Sequence, residues 1–201
     1  MNERGMIFNA EMVRAILDGR KTQTRRPVKF PLIDKNMGCE LAGNELAGEL
    51  AAHNYWNSPY GKPGDRVWVR ETFRVHSRAT DVATLVYRAS VRNSWTEQTH
   101  RVPVAVCNKP ATPEKWTPSI HMPRWASRIT LEITDVRVER LNDIRECDAK
   151  AEGGQTECTL IGDKYYPGFR SLWKSIYGEE SWAANPWVWV IEFKRVEGAA
   201  L

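Results

Sequence analysis

The chain of 201 residues is short of the side chains that build metal and disulfide sites: it has four cysteines and four histidines. Cys39, Cys107, Cys147 and Cys158 include no C-x-x-C pair, and His53, His76, His100 and His121 include no H-x-x-x-H spacing. That pattern excludes the usual zinc motifs and predicts free thiols in a reducing compartment, with no metal and no cofactor. Long apolar runs are missing as well. The opening "MNERGMIFNAEM" does not read as a signal peptide, and no stretch approaches the length of a membrane span. A soluble, cytoplasmic protein with no membrane partner is expected. Charge of one sign is also scarce. A net charge of +4 and a pI of about 8.9 permit a nucleic-acid partner without requiring one.

What is present begins with a hydrophobic fraction of 42%, enough to bury a real core, and nine tryptophans. Tryptophan buries large area and also stacks on nucleobases. Residues 9–18, "NAEMVRAILD", predict a short helix with Asn9 as N-cap and Val13, Ile16 and Leu17 on one face. Gly19 fits the position just past a helix end. Residues 30–64 read as an insertion or flexible flap in which "ELAGNELAGELA" is a marginal helix. "DRVWVRETFRV" (65–75) alternates as one strand, with Val67, Val69, Glu71 and Phe73 on one face.

"ATLVYRAS" (83–90) is another strand, and "SRITLEITDVRVERL" (127–141) is the longest. The apolar phase of that last strand slips near Thr134–Asp135, which predicts a bulge or corner. A capping box from Asp143 to Glu146 predicts a helix at about 144–152, with Glu152 in its last turn. The macrodipole disfavours a carboxylate there. "GFRSLWKSIYG" (168–178) reads as a helix and "PWVWVIEFKRV" (186–196) as a strand. The sum is an α+β chain, a small mixed β-barrel flanked by short helices. It forms a single domain over 1–201 with insertions at about 30–62 and 90–125.

From Gly19 to Phe30 there are five cationic side chains and no anionic one. A solvated charge run is one reading. An anion cradle is another, since Arg20, Arg25, Arg26 and the threonine hydroxyls can all donate to phosphate. A third has Lys21 as the base that activates Thr24. A threonine is a poor nucleophile until a base takes its proton, and a lysine serves only when burial and neighbouring cations lower its pKa. Glu71 and Glu152 sit where solubility alone does not call for them. Glu71 reads as a rim or salt-bridge residue or as a substrate-orienting carboxylate, and Glu152 as a helix-end surface residue or an acid/base partner of Lys21. The loop "WTPSIHMPRWASRI" (116–129) brings prolines, tryptophans, His121 and Arg124 together, as a hydrophobic plug or a stacking platform.

"LDGRKTQTRR" after a short amphipathic helix resembles the G-x-K-x-x-E-x-R signature of ASCH domains, which are related in fold to PUA RNA-binding domains. Gly19, Lys21 and Arg26 match it, and Thr24 stands where the glutamate is expected. "GDRVWVRETF", "RITLEITDVRVERL", "DAKAEG" and "WVWVIEFKRV" follow in the family's order, and the whole chain is similar to prophage-encoded ASCH proteins of enterobacteria. With Thr24, the loop is similar to the G-R-K-T-x-T of the bacterial branch that hydrolyses N4-acetylcytidine to cytidine and acetate. The resemblance implies a PUA-like barrel, a nucleoside or RNA partner, and an amidohydrolase in which Lys21 deprotonates Thr24 while Glu152 holds Lys21 or relays a proton. It implies no metal. Loop N–H groups would hold the oxyanion, and Arg20, Arg25, Arg26, Glu71, His121 and Arg124 would hold substrate. The competing readings are an RNA- or single-stranded-DNA-binding module, a metal-dependent ribonuclease, and a phage morphogenesis accessory protein.

Overall fold

Asn9 opens the first helix as its composition predicts: its side chain accepts from Met12 N at 2.8 Å, and α1 runs Ala10–Leu17. Gly19 follows at φ +72°, a left-handed conformation that costs glycine little. The computed structural model describes residues 2–91, 94, 95, 99–160 and 162–196. Among them β1 (Glu3–Ile7), β2 (Gln23–Pro27), β3 (Arg66–Arg70), β7 (Thr130–Arg140) and β10 (Trp187–Val196) form a five-stranded sheet, ordered β1-β3-β7-β10-β2. The β1–β3 pair is parallel and the others antiparallel. A second sheet holds β4 (Phe73–Arg78), β5 (Val82–Tyr87) and β6 (Thr99–Pro103), and a small hairpin holds β8 (Glu157–Thr159) and β9 (Gly162–Lys164). The helices are α1, α2 (Gly43–Ala51), α3 (Glu146–Ala151), α4 (Tyr165–Tyr177) and α5 (Glu179–Ala183).

The mixed α+β class matches the expectation. β1 and β2 are the edges of the large sheet, yet they are linked: Arg26 on β2 donates from Nη2 to the Ile7 carbonyl at 2.6 Å and lies over the Phe8 ring. The core under this sheet gathers Val13 and Ile16 from α1, Leu46 and Leu50 from α2, and Leu131, Ile133, Trp189 and Ile191 from the strands. The opposite face of β10 presents Val188 and Val190 to Phe169, Trp173 and Trp182 of α4 and α5. β10 is therefore buried on both faces, which its near-continuous apolar run permits. No helix among the described residues is long and apolar enough to cross a membrane.

The slip in β7 is found where expected. Ile133 pairs with Phe193 and Asp135 with Glu192, so Thr134 is an extra residue against β10. Three expectations are corrected. The 65–75 stretch is not one strand. Its burial alternates without a break, but the chain exchanges partners at Glu71 and passes from the large sheet to the small one. The 30–62 stretch is not a flap: Leu41, Leu46 and Leu50 are fully buried, so α2 is a wall of the main core. The helix carrying Glu152 begins two residues later than predicted, and the side chain that returns to its N-cap is Asp148, accepting from Arg145 N at 3.2 Å. The predicted 90–125 insertion includes residues outside those described; the rest supplies β6 and Met122 to the second core.

Because Leu46 fills a packed core, Leu46→Ala should destabilise the fold by about 2–5 kcal/mol in urea titration, whereas a flap would lose almost nothing.

Candidate functional site

The turn after α1 is closed tightly. Arg20 N and Lys21 N both donate to the Ala15 carbonyl, at 2.9 and 3.0 Å, and Thr22 N donates to the Ala151 carbonyl at 2.8 Å. The start of β2 is thus stitched to the end of α3, and Lys21 and Glu152 form a one-pair antiparallel bridge. Close approach needs Gly153. It sits at φ +72°, and a Cβ there would come within 2.7 Å of Lys21 Cβ and 2.9 Å of Ala15 Cβ.

This junction aims Lys21 inward. Its side chain has no exposed surface, and Nζ donates to Glu152 Oε2 at 2.7 Å and to the Glu152 carbonyl at 2.9 Å. The other oxygen, Glu152 Oε1, accepts from Arg25 Nη1 at 3.2 Å. Arg25 Nη2 reaches Glu139 Oε1 at 2.5 Å, with Asp148 at 3.9 Å. Gln23 lies beside them, and with its amide oriented to satisfy both groups its oxygen accepts from Arg25 Nη2 at 3.0 Å. Arg137 continues the network to Asp135, Glu139 and Glu192. Burial pulls the Arg137 pKa down, but its hydrogen bonds to Glu192 and Asp135 outweigh that and raise it.

Burial lowers the Lys21 pKa from its ordinary value. The charges of Arg26 and Arg25 push the same way, and Glu152 opposes them. Lysine is thereby moved toward the neutral form that can accept a proton. Glu152, at a helix C-terminus where a carboxylate is disfavoured, is held there by two cations.

Thr24 is buried on β2 opposite Ile191. With Arg25, Arg26, Glu152, Trp173 and Tyr177 it lines a recess of about 20 Å³. A larger cleft of about 480 Å³ lies between α1, the 153–157 segment and α4, and it shares Met12, Glu152 and Leu172 with the recess. No hydrogen bond joins Lys21 to Thr24; the Nζ bonds go to Glu152. The Nε–H groups of Arg25 and Arg26 are buried without an acceptor.

The other predicted side chains divide. Arg20 is exposed, bonded to the Gly153 carbonyl at 3.2 Å and to Asp18 at 2.9 Å, and lines the larger cleft. Arg25 and Lys21 are not a solvated cradle, because carboxylates neutralise both inside the protein. Glu71 lies at the strand-exchange corner, bound at both oxygens by Arg128 at 2.9 and 3.1 Å; burial raises its pKa against the pull of that arginine. His121 is exposed in a single 3₁₀ turn. Arg124 pairs with Glu3 at 2.8 and 3.0 Å and lowers the Glu3 pKa through that hydrogen bond. Among the described residues, none of Glu71, His121 and Arg124 bonds to the Lys21 cluster, so the substrate-holding group expected from sequence is not assembled in one place. Glu139, Asp148 and Arg137 were not anticipated. The signal is present: Asp135, Arg137 and Glu139 repeat at every second position of β7, a charged stripe alternating with Val136 and Val138.

No protein-family model matches this chain, and comparison with curated proteins and with solved structures gives no significant match. Among the described residues no three of His, Cys, Asp and Glu are grouped to hold a metal ion.

Glu152→Ala leaves two buried cations without their shared carboxylate and should cost about 3–5 kcal/mol, while Lys21→Met, which removes a charge, should cost less; urea titration of both separates the two effects. A second expectation concerns pH. The folded-state pKa of Lys21 lies below its ordinary 10.5, so between the two values the unfolded chain holds a proton that the folded chain lacks. Stability through this residue therefore rises with pH across that window. Wild type should gain on Lys21→Met as pH climbs from neutral towards 10.5 in parallel titrations.

Proposed function

We propose that this chain is an ASCH-like, PUA-related amidohydrolase that removes the acetyl group from N4-acetylcytidine. The observation that carries the reading is the buried Lys21–Glu152 pair with Thr24 and Glu152 lining one recess at the base of a nucleoside-sized cleft. The side-chain link from edge strand β2 to the end of β1 through Arg26 suits a barrel-like sheet.

A neutral lysine has two N–H groups and one lone pair. Glu152 takes two donor directions of Nζ, through its carboxylate and its carbonyl, which leaves the lone pair for the Thr24 hydroxyl proton. In the forward step Thr24 Oγ1 bonds to the acetyl carbon as its proton passes to Lys21. The tetrahedral centre then expels the N4 nitrogen, which leaves as cytidine with the proton from Lys21. Water, deprotonated by the same lysine, cleaves the acetyl-threonine ester and releases acetate. Glu152 keeps Lys21 in place through both protonation states.

The oxyanion donors differ from those expected of the loop. The N–H groups of Arg20, Lys21 and Thr22 are already paired to Ala15 and Ala151. Arg25 and Arg26 both line the recess but lie on opposite faces of β2, Arg25 over Phe169 beside Glu152 and Arg26 over Phe8, so the Arg25 guanidinium is the donor suited to the developing charge. The recess of about 20 Å³ admits a group the size of one water, so acetyl entry requires the side chains of α4 to move outward.

Purified protein incubated with N4-acetylcytidine should release cytidine and acetate, followed chromatographically. Thr24→Ala and Lys21→Ala should each lower kcat by about 100-fold or more, with Thr24→Ser retaining part of the rate. An inactive wild type, or a Thr24→Ala variant as fast as wild type, would end this reading.

A further inference from the structure

Of the cations first suggested as a nucleic-acid contact, Arg25 is inside the protein and neutralised by carboxylates, Arg20 is paired with Asp18, and Arg26 donates to the Ile7 carbonyl. A different row of cations is half-exposed. From Asp65 to His76 burial alternates strictly: Val67, Val69, Glu71, Phe73 and Val75 point in, and Arg66, Trp68, Arg70, Thr72, Arg74 and His76 are half-exposed, with Arg78 exposed beyond them. The sheet exchange at Glu71 does not interrupt this alternation, so one extended segment carries Arg66, Arg70 and Arg74 at every fourth residue on a single face; a β-bulge at His76 then turns Arg78 to the opposite face, opposite buried Ala83. At roughly 3.3 Å per residue the row spans about 26 Å, with an arginine about every 13 Å.

Among the described residues none of Arg66, Arg70, Arg74 and Arg78 makes an ion pair. Three of them donate instead to main-chain carbonyls of one neighbouring segment: Arg70 to Ile120, Arg74 to Pro113, and Arg78 to Lys109 at 3.1 Å. A carbonyl positions a guanidinium but leaves its charge uncompensated. The Nε–H groups of Arg66, Arg70 and Arg74 have no acceptor at all. Indole rings alternate with the charges. Arg70 lies over Trp68 at 5.4 Å and Arg74 over Trp116 at 4.6 Å. Gly5 on β1 makes room for this layer, since a Cβ there would meet Trp68 and Arg70 within 2.8 Å. Three acids approach the row. Glu132, directly opposite Arg66 on β7, is paired with Lys194. Glu3 is near Arg66 but already paired with Arg124, and Glu114 is exposed in the 109–120 segment, where Lys109 and Lys115 also lie.

We propose that this face is a track for the phosphate backbone of a single-stranded nucleic acid. Guanidinium groups fixed by carbonyls, with their charge uncompensated, suit phosphate oxygens, and the interleaved indoles offer π-faces to unpaired bases. An acidic peptide would meet the charges but would leave the indoles without a planar partner. The proposal is independent of the hydrolase reading and stands or falls without it.

The test is fluorescence anisotropy with a labelled 20-nucleotide oligouridine over a salt series, against wild type and the triple variant Arg66→Ala/Arg70→Ala/Arg74→Ala. Wild type should bind with an affinity that falls as salt rises. The triple variant should bind at least 10-fold more weakly, with a slope of log affinity against log salt shallower by about two, as loss of three single-strand phosphate contacts requires. Trp116→Ala should weaken binding while leaving the slope unchanged. Should the triple variant not fold, Arg74→Glu, half-exposed on the same face, is read in its place and must also weaken binding. Equal affinity of variant and wild type, no binding at low salt, or displacement of the RNA by polyglutamate at equal charge concentration would overturn the proposal, the last in favour of an acidic protein partner.

Discussion

The junction between β2 and α3 depends on one buried contact, Lys21 with Glu152. Taking an ammonium and a carboxylate out of water costs several kcal/mol each, and their attraction offsets this only when the geometry is good and the remaining polar positions are filled. Here they are filled: Nζ reaches both the carboxylate and the carbonyl of Glu152, and the second carboxylate oxygen receives Arg25. The surrounding chain follows from that requirement. Gly153 must lack a side chain, α3 must end where it does, and the turn after Gly19 must close on Ala15. A hydrophobic pair of equal volume would stabilise such a junction at least as well. Stability alone therefore does not call for an ion pair here, whereas the proposed hydrolysis, which uses a lysine of lowered pKa, does.

Local elements were legible in the sequence because they follow from local chemistry. Asn9 and Gly19 bracket α1, the phase slip marks Thr134, and the alternation of 187–193 places Trp189, Ile191 and Phe193 in the core. What could not be read was pairing. Nothing in "VRETF" says that the strand changes sheets at Glu71, since either partner is met by the same inward side chains. Small residues made 30–62 look dispensable, but Leu46 and Leu50 alone suffice to seat α2. Glu152 stands out in the sequence for a setting that solubility does not call for, and Lys21 for its three-residue spacing from Thr24 within a run of cations. Their neighbours Glu139 and Asp148 were missed because a charged stripe on a strand looks the same whether it faces water or a buried arginine.

The molecule thus handles its positive charge in two opposite ways. At the start of β2, Lys21 and Arg25 are enclosed and matched by carboxylates. Along 66–78 the cations are held open by backbone carbonyls, so their field extends into solvent. The two regions share no hydrogen bond among the described residues. The Glu71–Arg128 clasp joins the corner where the chain changes sheets to the entry of β7.

The extra residue at Thr134 has a consequence for how β7 encodes its surroundings. Before it, odd-numbered positions Ile129, Leu131 and Ile133 are apolar and buried; after it, odd-numbered Asp135, Arg137 and Glu139 are ionic, and Val136 and Val138 take over the core. One unpaired residue inverts the parity of the strand, so the same numbering rule specifies oil at one end and charge at the other. Losing or gaining a single residue there would turn the ionic stripe into the core and the valines out to the carboxylates, without changing the composition of the strand at either end.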